Sequence, residues 1–293
     1  MKRFPILLFL FFIIHNAMAQ PFVDVLTANH QRMATKTEND SFTNVYNNSF
    51  LGIILPIRID SNNIFIARVN GEMLNSDVSG HGLSASVHLK SLLLGIGWQH
   101  HINKKWAFNA LLLPKITSDF KDKINSKDFQ MGGTFFVMYR LRQNFRYKAG
   151  VYYNREPFGN FFTPLLGADI QLNKRNWIYG QLPLYFRYEH RFTEKFYSGL
   201  GLRFFGRSFR LNSTLNHNYV FLQENQIKLF ADYYLKKKLV VFAELGRTLG
   251  YGLRHYRNNT ERTGRMQYPM QLASVKDGFY INAGVVYRVR NDF

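Results

Sequence analysis

Residues Phe279 to Arg290 read FYINAGVVYRVR, and their character changes at every second position. Phe279, Ile281, Ala283, Val285, Tyr287 and Val289 share one face, against Tyr280, Asn282, Gly284, Val286, Arg288 and Arg290 on the other. A period of two is the mark of an extended strand with two unlike surroundings. The same alternation runs through Phe129 to Arg142, Phe145 to Asn154, Leu184 to Phe192, Phe196 to Phe204, Tyr219 to Leu235 and Leu239 to Glu244. Segments of about ten residues are what a tilted strand needs to cross a bilayer. After residue 19 no apolar run is long enough for a transmembrane helix, and Leu51 to Ile57 is broken by Gly52 and Pro56.

The connections alternate in length. Short polar turns are expected at Asp60 to Asn63, Asn103 to Lys105, Arg142 to Asn144, Asn173 to Asn176, Thr193 to Lys195 and Lys236 to Lys238. Between them lie longer polar or Gly-rich stretches near 34–43, 74–83, 119–127, 156–162, 211–217 and 257–276. A tight outer turn near Leu182-Pro183 keeps the alternation in phase. The expected fold is all-β: an antiparallel transmembrane β-barrel of about 14 strands, or 12, with short periplasmic turns and longer extracellular loops. Trp98, Trp106 and Trp177 lie beside short turns and are expected in the aromatic girdle at the membrane interface. Cross-strand aromatic packing in a soluble sandwich explains this placement less well, because it does not require aromatics at nearly every turn.

Residues 1–19 have a basic start (Lys2, Arg3), an apolar stretch and Ala17-Met18-Ala19, the pattern of a secretory signal peptide. Residues 20–293 then form one barrel domain. The absence of cysteine removes disulfide scaffolds, thiolate metal sites and a lipidated cysteine anchor. The 38 Lys and Arg against 19 Asp and Glu give +19, and losing Lys2 and Arg3 leaves +17. These cations are scattered singly through alternating segments, not clustered as nucleic-acid binding requires.

Near the chain end, Asn282-x-Gly284-x-x-Tyr287-x-Val289, followed by the terminal Phe293, resembles the final-strand signal of Gram-negative outer-membrane β-barrels. That resemblance implies insertion by the barrel-assembly machinery into the cell outer membrane, with lipid and lipopolysaccharide as surroundings. The chain looks most like uncharacterised, porin-like members of that class. Neither a TonB-dependent plug nor a peptidoglycan-binding tail is expected. In the loop 257–276, Arg257, Arg262, Arg265 and Lys276 are candidates for contacts with lipopolysaccharide phosphates.

If apolar faces meet lipid, the charged faces line the lumen, because Arg or Lys facing hydrocarbon at the midplane costs about 2–4 kcal/mol. The expected lumen set is Arg140, Arg146, Lys148, Arg187, Arg191, Arg203, Arg207, Glu224, Lys228, Asp232, Glu244, Arg288 and Arg290. A wet interior of this kind makes a passive pore favouring small polar or anionic solutes. Alternatively, the charges interlock with aromatics such as Phe136, Tyr152, Tyr185, Phe230 and Tyr234 in a non-conducting structural or binding barrel. A lipid hydrolase at His81 and Ser84 is a remote third, since the spacing lacks a held base and nucleophile. His100-His101 makes a poor chelate because neighbours on a strand point to opposite faces. The sequence therefore points to a non-enzyme with no cofactor or metal. Mass spectrometry of the protein from outer-membrane fractions should find a mature chain beginning at Gln20; an intact Met1 would refute cleavage.

Overall fold

In the computed structural model, residues 21–37, 42–157, 159–211, 219–256, 270–271 and 276–290 are described. The alternating segments form β1 (Phe22–Lys36), β2 (Thr43–Arg58), β3 (Asn63–Gly80), β4 (Leu83–His101), β5 (Trp106–Ser118), β6 (Phe129–Arg142) and β7 (Phe145–Glu156). They continue as β8 (Gly159–Asn173), β9 (Asn176–Leu182), β10 (Tyr185–Arg191), β11 (Phe196–Arg210), β12 (Tyr219–Tyr234) and β13 (Leu239–Thr248). The last are β14 (Gly252–Tyr256), β15 (Met270–Gln271) and β16 (Phe279–Arg290).

Fourteen antiparallel strands close the barrel. β1 to β13 pair in chain order, β13 pairs with β16, and β16 returns to β1. β14 extends the wall beyond β13 by pairing with the outer half of β12, and β15 pairs with β14. No helix among the described residues is long and apolar enough to cross a membrane.

At the closing seam, a bulge between Asp24 and Leu26 shifts the register of β1 by one residue. Because the side-chain period is two, that extra residue directs Phe22 and Asp24 inward at one end and Gln31 and Met33 inward at the other. Gly284 fits the seam for a steric reason: a Cβ there would lie 2.2 Å from the Ala28 carbonyl oxygen. Asn282 points inward; Asn29 Nδ2 donates to its Oδ1 at 2.8 Å, and its own Nδ2 donates to Glu244 at 2.9 Å. Tyr287 and Val289 have the opposite parity.

The short turns lock themselves. The Asp60 carboxylate accepts from the Asn63 side chain at 2.7 Å and from the backbone N–H groups of Asn62 and Asn63 at 2.7 and 2.9 Å. These bonds, led by that of the Asn63 side chain, hold the Asp60 carboxyl below its ordinary pKa. The stabilisation is present above the ordinary carboxylate pKa and is lost as pH falls through the lowered one. Asn103, Asn173 and Thr193 cap the backbone of their own turns in the same way.

Three expectations are corrected. The polar stretch 74–83 belongs to β3 and β4, joined by a two-residue turn at His81-Gly82 with φ of 49° and 77°. Two successive positive φ angles suit a tight hairpin, so Ser- and Asn-rich sequence that resembles a loop is strand. The stretch 156–162 is likewise mostly strand, with Glu156 the last residue of β7 and Gly159 the first of β8. The Leu182-Pro183 turn exists, but within the wall instead of at its outer rim, because Leu182 is level with Leu166 and β8 continues to Gly159.

The outer surface carries the apolar faces, with Leu94, Ile96, Leu112, Leu166, Leu200, Leu229 and Ile281 all exposed. Replacing Leu229, which is 57% exposed, by Arg should lower folding stability in vesicles by about 2–4 kcal/mol in urea titrations. An unchanged midpoint would show that this face is not in lipid.

Candidate functional site

Strand parity places Arg140, Arg146, Lys148, Arg187, Arg191, Arg203, Arg207, Glu224, Lys228, Asp232, Glu244, Arg288 and Arg290 on the inner wall. They are organised into two layers with a chamber between them.

The layer nearer the short turns is built around Asp232. One of its oxygens accepts from Arg187 at 2.6 Å and from Arg288 at 2.5 Å. Arg288 also grips both oxygens of Asp24 at 2.6 and 3.0 Å, the two-pronged geometry that favours Arg over Lys. Arg290 bonds Glu189 at 2.5 Å and the Tyr234 hydroxyl at 2.7 Å, while the Tyr179 hydroxyl donates to Glu189 at 3.1 Å. Aromatic faces cover these cations: Arg187 lies 3.4 Å from the Phe230 ring centre, Arg288 3.7 Å from Phe22 and Arg290 4.0 Å from Tyr197. Phe22 meets Tyr179 edge-on at 5.6 Å. Their strands, β1 and β9, lie on nearly opposite sides of the ring, so this contact crosses the lumen. On the neighbouring wall Lys148 pairs with Asp169 at 2.6 Å.

The outer layer is built around Arg207, which pairs with Glu72 and, at 3.1 Å, with Glu224. Glu224 also accepts from Gln31 at 2.6 Å, Gln226 at 2.5 Å and the Tyr46 hydroxyl at 3.0 Å. Met33, Tyr46, Leu74, Leu89, Phe209, Val220, Leu222, Tyr251 and Tyr280 form a buried apolar cluster in the barrel's outer half. β11 ends inside the barrel: the Asp119 N–H donates to the Arg210 carbonyl at 3.0 Å, and Gln130 to the Ser208 carbonyl at 3.1 Å.

Between the layers lies a chamber of about 380 Å³. Seven cationic and four carboxylate side chains reach it. Each carboxylate is already paired: Asp24 with Arg288, Asp232 with Arg187 and Arg288, Glu72 with Arg207, and Glu244 with Lys228 at 2.6 Å. Arg68 and Arg203 have no carboxylate partner among the described residues. The Arg68 Nε has no hydrogen-bond partner, and Arg203 stacks 4.2 Å from the centre of the Phe205 ring. Gly95 makes room beside Arg68, since a Cβ there would sit 2.9 Å from the Arg68 Cβ. Arg68 is half-buried and Arg203 is exposed towards the chamber, and two guanidinium groups on one chamber without a counter-charge favour an anion there.

Arg68, Glu72 and Asp24 were not anticipated from the sequence. The inward face of β3 begins with Ile64 and Ile66, so both of its faces are apolar near the short turns and the two-residue contrast fades.

The three tryptophans divide. Trp98 and Trp106 are exposed on the outer surface, Trp98 donating to Asn63 at 2.9 Å and Trp106 against Tyr139 at 4.6 Å. Trp177 departs from the expected girdle: it is buried inside with Phe22, Tyr179 and Tyr197. The turn before it leaves Asn176 as the first, outward residue of β9, and a one-residue step reverses the face.

His81 is exposed in its hairpin turn, its ring against Phe42 at 5.7 Å. On the outer face, His30 Nδ1 lies 2.9 Å from Ser49 Oγ, but neither makes a further side-chain hydrogen bond among the described residues. Without an orienting third group this pair falls short of a hydrolytic triad. Residues 1–19, expected as a signal peptide, and Phe293, Arg257, Arg262 and Arg265 lie outside the described residues.

Asp232→Asn would leave Arg187 and Arg288 facing each other without their shared charge. It should cost about 3–5 kcal/mol of stability in urea titrations, whereas Asp60→Asn in the exposed turn should have a far smaller effect.

The barrel is similar in architecture to several solved structures. For the COG4313 outer membrane channel from Pseudomonas putida F1, the TM-score is 0.49 with 10% identity, covering 94% of this chain and 100% of that one. For the P. putida toluene transporter TodX it is 0.41 with 11% identity, covering 92% and 89%. For the NanC porin it is 0.39 with 7% identity, covering 90% and 100%. No curated protein matches the sequence. The family described as a domain of unknown function (DUF6268) matches residues 26–288, nearly the whole barrel, and the chain belongs to that family.

Proposed function

We propose that this protein is a passive outer-membrane channel, not an enzyme, whose chamber receives the anionic group of a small polar solute. The observation that carries this reading is the Arg68 and Arg203 pair, two guanidinium groups facing a chamber whose carboxylates are all committed elsewhere. Excess positive charge within low-dielectric walls raises the local concentration of anions. The chamber volume lies within the range of small-molecule sites.

The two layers that cross the lumen give this reading a closed state. Permeation requires the Arg207 layer and the Asp232 layer to part, and the lattice of charge-assisted bonds makes this a discrete rearrangement instead of a gradual widening. The same crossings favour a second reading, a non-conducting binding barrel. Under either reading, the Asn282 to Val289 segment and Phe293 guide insertion by the assembly machinery, with lipopolysaccharide around the outer loops.

Reversal potentials in planar bilayers under a KCl gradient separate the alternatives. The wild type should be anion-selective, and Arg68→Gln with Arg203→Gln should bring the reversal potential close to zero. Clear cation selectivity would overturn the channel reading as stated, and complete absence of conductance would leave the binding barrel.

A further inference from the structure

We propose that the barrel has a portal in its side wall, between β8 and β11, which takes the chain of a single-chain anionic amphiphile while its head group reaches the Arg68 and Arg203 pair. The head-group half rests on the chamber reading above; the portal itself rests on strand lengths and register.

β9 and β10 are seven residues each, whereas β8 and β11, on either side of them, have fifteen. β9 pairs with β8 only as far as Leu166, and β10 pairs with β11 only as far as Arg203, with one more bond from the Phe204 N–H to the Leu184 carbonyl. Beyond that level, Gly159 to Leu165 of β8 have β7 on one side and, among the described residues, no strand on the other. The outer end of β11 cannot fill the gap, because Ser208 and Arg210 are bonded across the interior to Gln130 and Asp119.

This opening lies at bilayer depth. The outward positions of β8 run Leu172, Ile170, Ala168, Leu166, Pro164 and Phe162, all apolar, and Phe162 and Leu166 are 64% and 68% exposed. The turn at Leu182 is level with Leu166, so the gap faces the outer part of that apolar row. An open sheet edge in hydrocarbon leaves backbone groups unsatisfied and is avoided unless it lines a cavity. Pro164 on that edge removes one donor that would otherwise lack a partner.

A cavity lines it here. A hollow of about 480 Å³ is bounded by Phe161, Thr163, Pro183, Leu184, Phe204 and Phe221, and Tyr152 and Gly206 border both this hollow and the central chamber. Phe205 forms part of its wall and carries the Arg203 guanidinium at 4.2 Å. A largely apolar recess facing lipid, whose lining also includes Glu156, Gln223 and Asn225, adjoins a cationic chamber and matches a molecule with an apolar chain and one acidic head. A purely polar solute leaves the recess unused, and an uncharged hydrocarbon leaves the Arg pair unmet.

The test is equilibrium binding of dodecanoate and dodecanol to the full mature protein in amphipol. Thr163→Trp and, independently, Leu184→Trp fill the hollow, and Arg68→Gln with Arg203→Gln empties the chamber of its unpaired charge. Wild-type protein should bind dodecanoate saturably and dodecanol at least tenfold more weakly. Either filling variant, confirmed as folded by heat-modifiable mobility, should weaken dodecanoate at least tenfold. Absence of saturable dodecanoate binding by the wild type, or wild-type binding by both folded filling variants, would overturn the portal. If filling the hollow abolishes binding while the Arg changes leave it intact, the portal stands and the assignment of the head group to the chamber fails.

Discussion

A sheet immersed in hydrocarbon has to satisfy its own backbone, and everything else in this protein depends on how β1 and β16 meet to do so. Eleven register pairs join the two strands, and the bulge after Asp24 changes which side chains of β1 look inward along that join. Closure makes the barrel wall two-sided in the strict sense. A charged side chain at the level of the hydrocarbon then has only the interior available, because the other face is lipid.

Concentrating charge inside a narrow barrel creates a second constraint. Two opposite charges at about 3 Å attract by roughly 5 kcal/mol at an effective dielectric of 20, while the desolvation penalty is several kcal/mol per ion. A lone pair of ions therefore gains little, and the structure responds with shared partners: Asp232 serves two arginines and Glu224 accepts from three kinds of donor. Aromatic rings complete the coverage, as with Arg290 between Tyr197 and Tyr234. Such layers are stable when their members are satisfied, and among the cations that line the chamber Arg68 and Arg203 have no carboxylate partner among the described residues.

Much of this was legible in the sequence. The segment Phe129 to Arg142 is a strand with those limits, and each of the six short turns falls where polar residues interrupt the alternation. The inward set from Arg140 to Arg290 follows from parity, which one apolar face is enough to fix. Legibility failed where that contrast was missing. Around residues 74–83 polar residues occur on both faces, Ser76 inward and Asn75, Asp77 and Ser79 outward, so strand resembled loop; in β3 both faces are apolar near the short turns, so Arg68 was hidden. Trp177 was misplaced because adjacency to a turn does not say which of two faces a residue takes.

The sequence by itself determined the period, and with it the architecture, the lipid face and the sign of charge on the inner face, because these depend only on neighbours along one strand. The tertiary structure decided what lies across the lumen: that Phe22 reaches Tyr179, that Arg207 reaches Glu72, and that β11 leaves the wall where β9 and β10 stop short. Those contacts join strands as many as six places apart in the ring, and the distance between them is set by barrel closure and strand length, which no local pattern encodes.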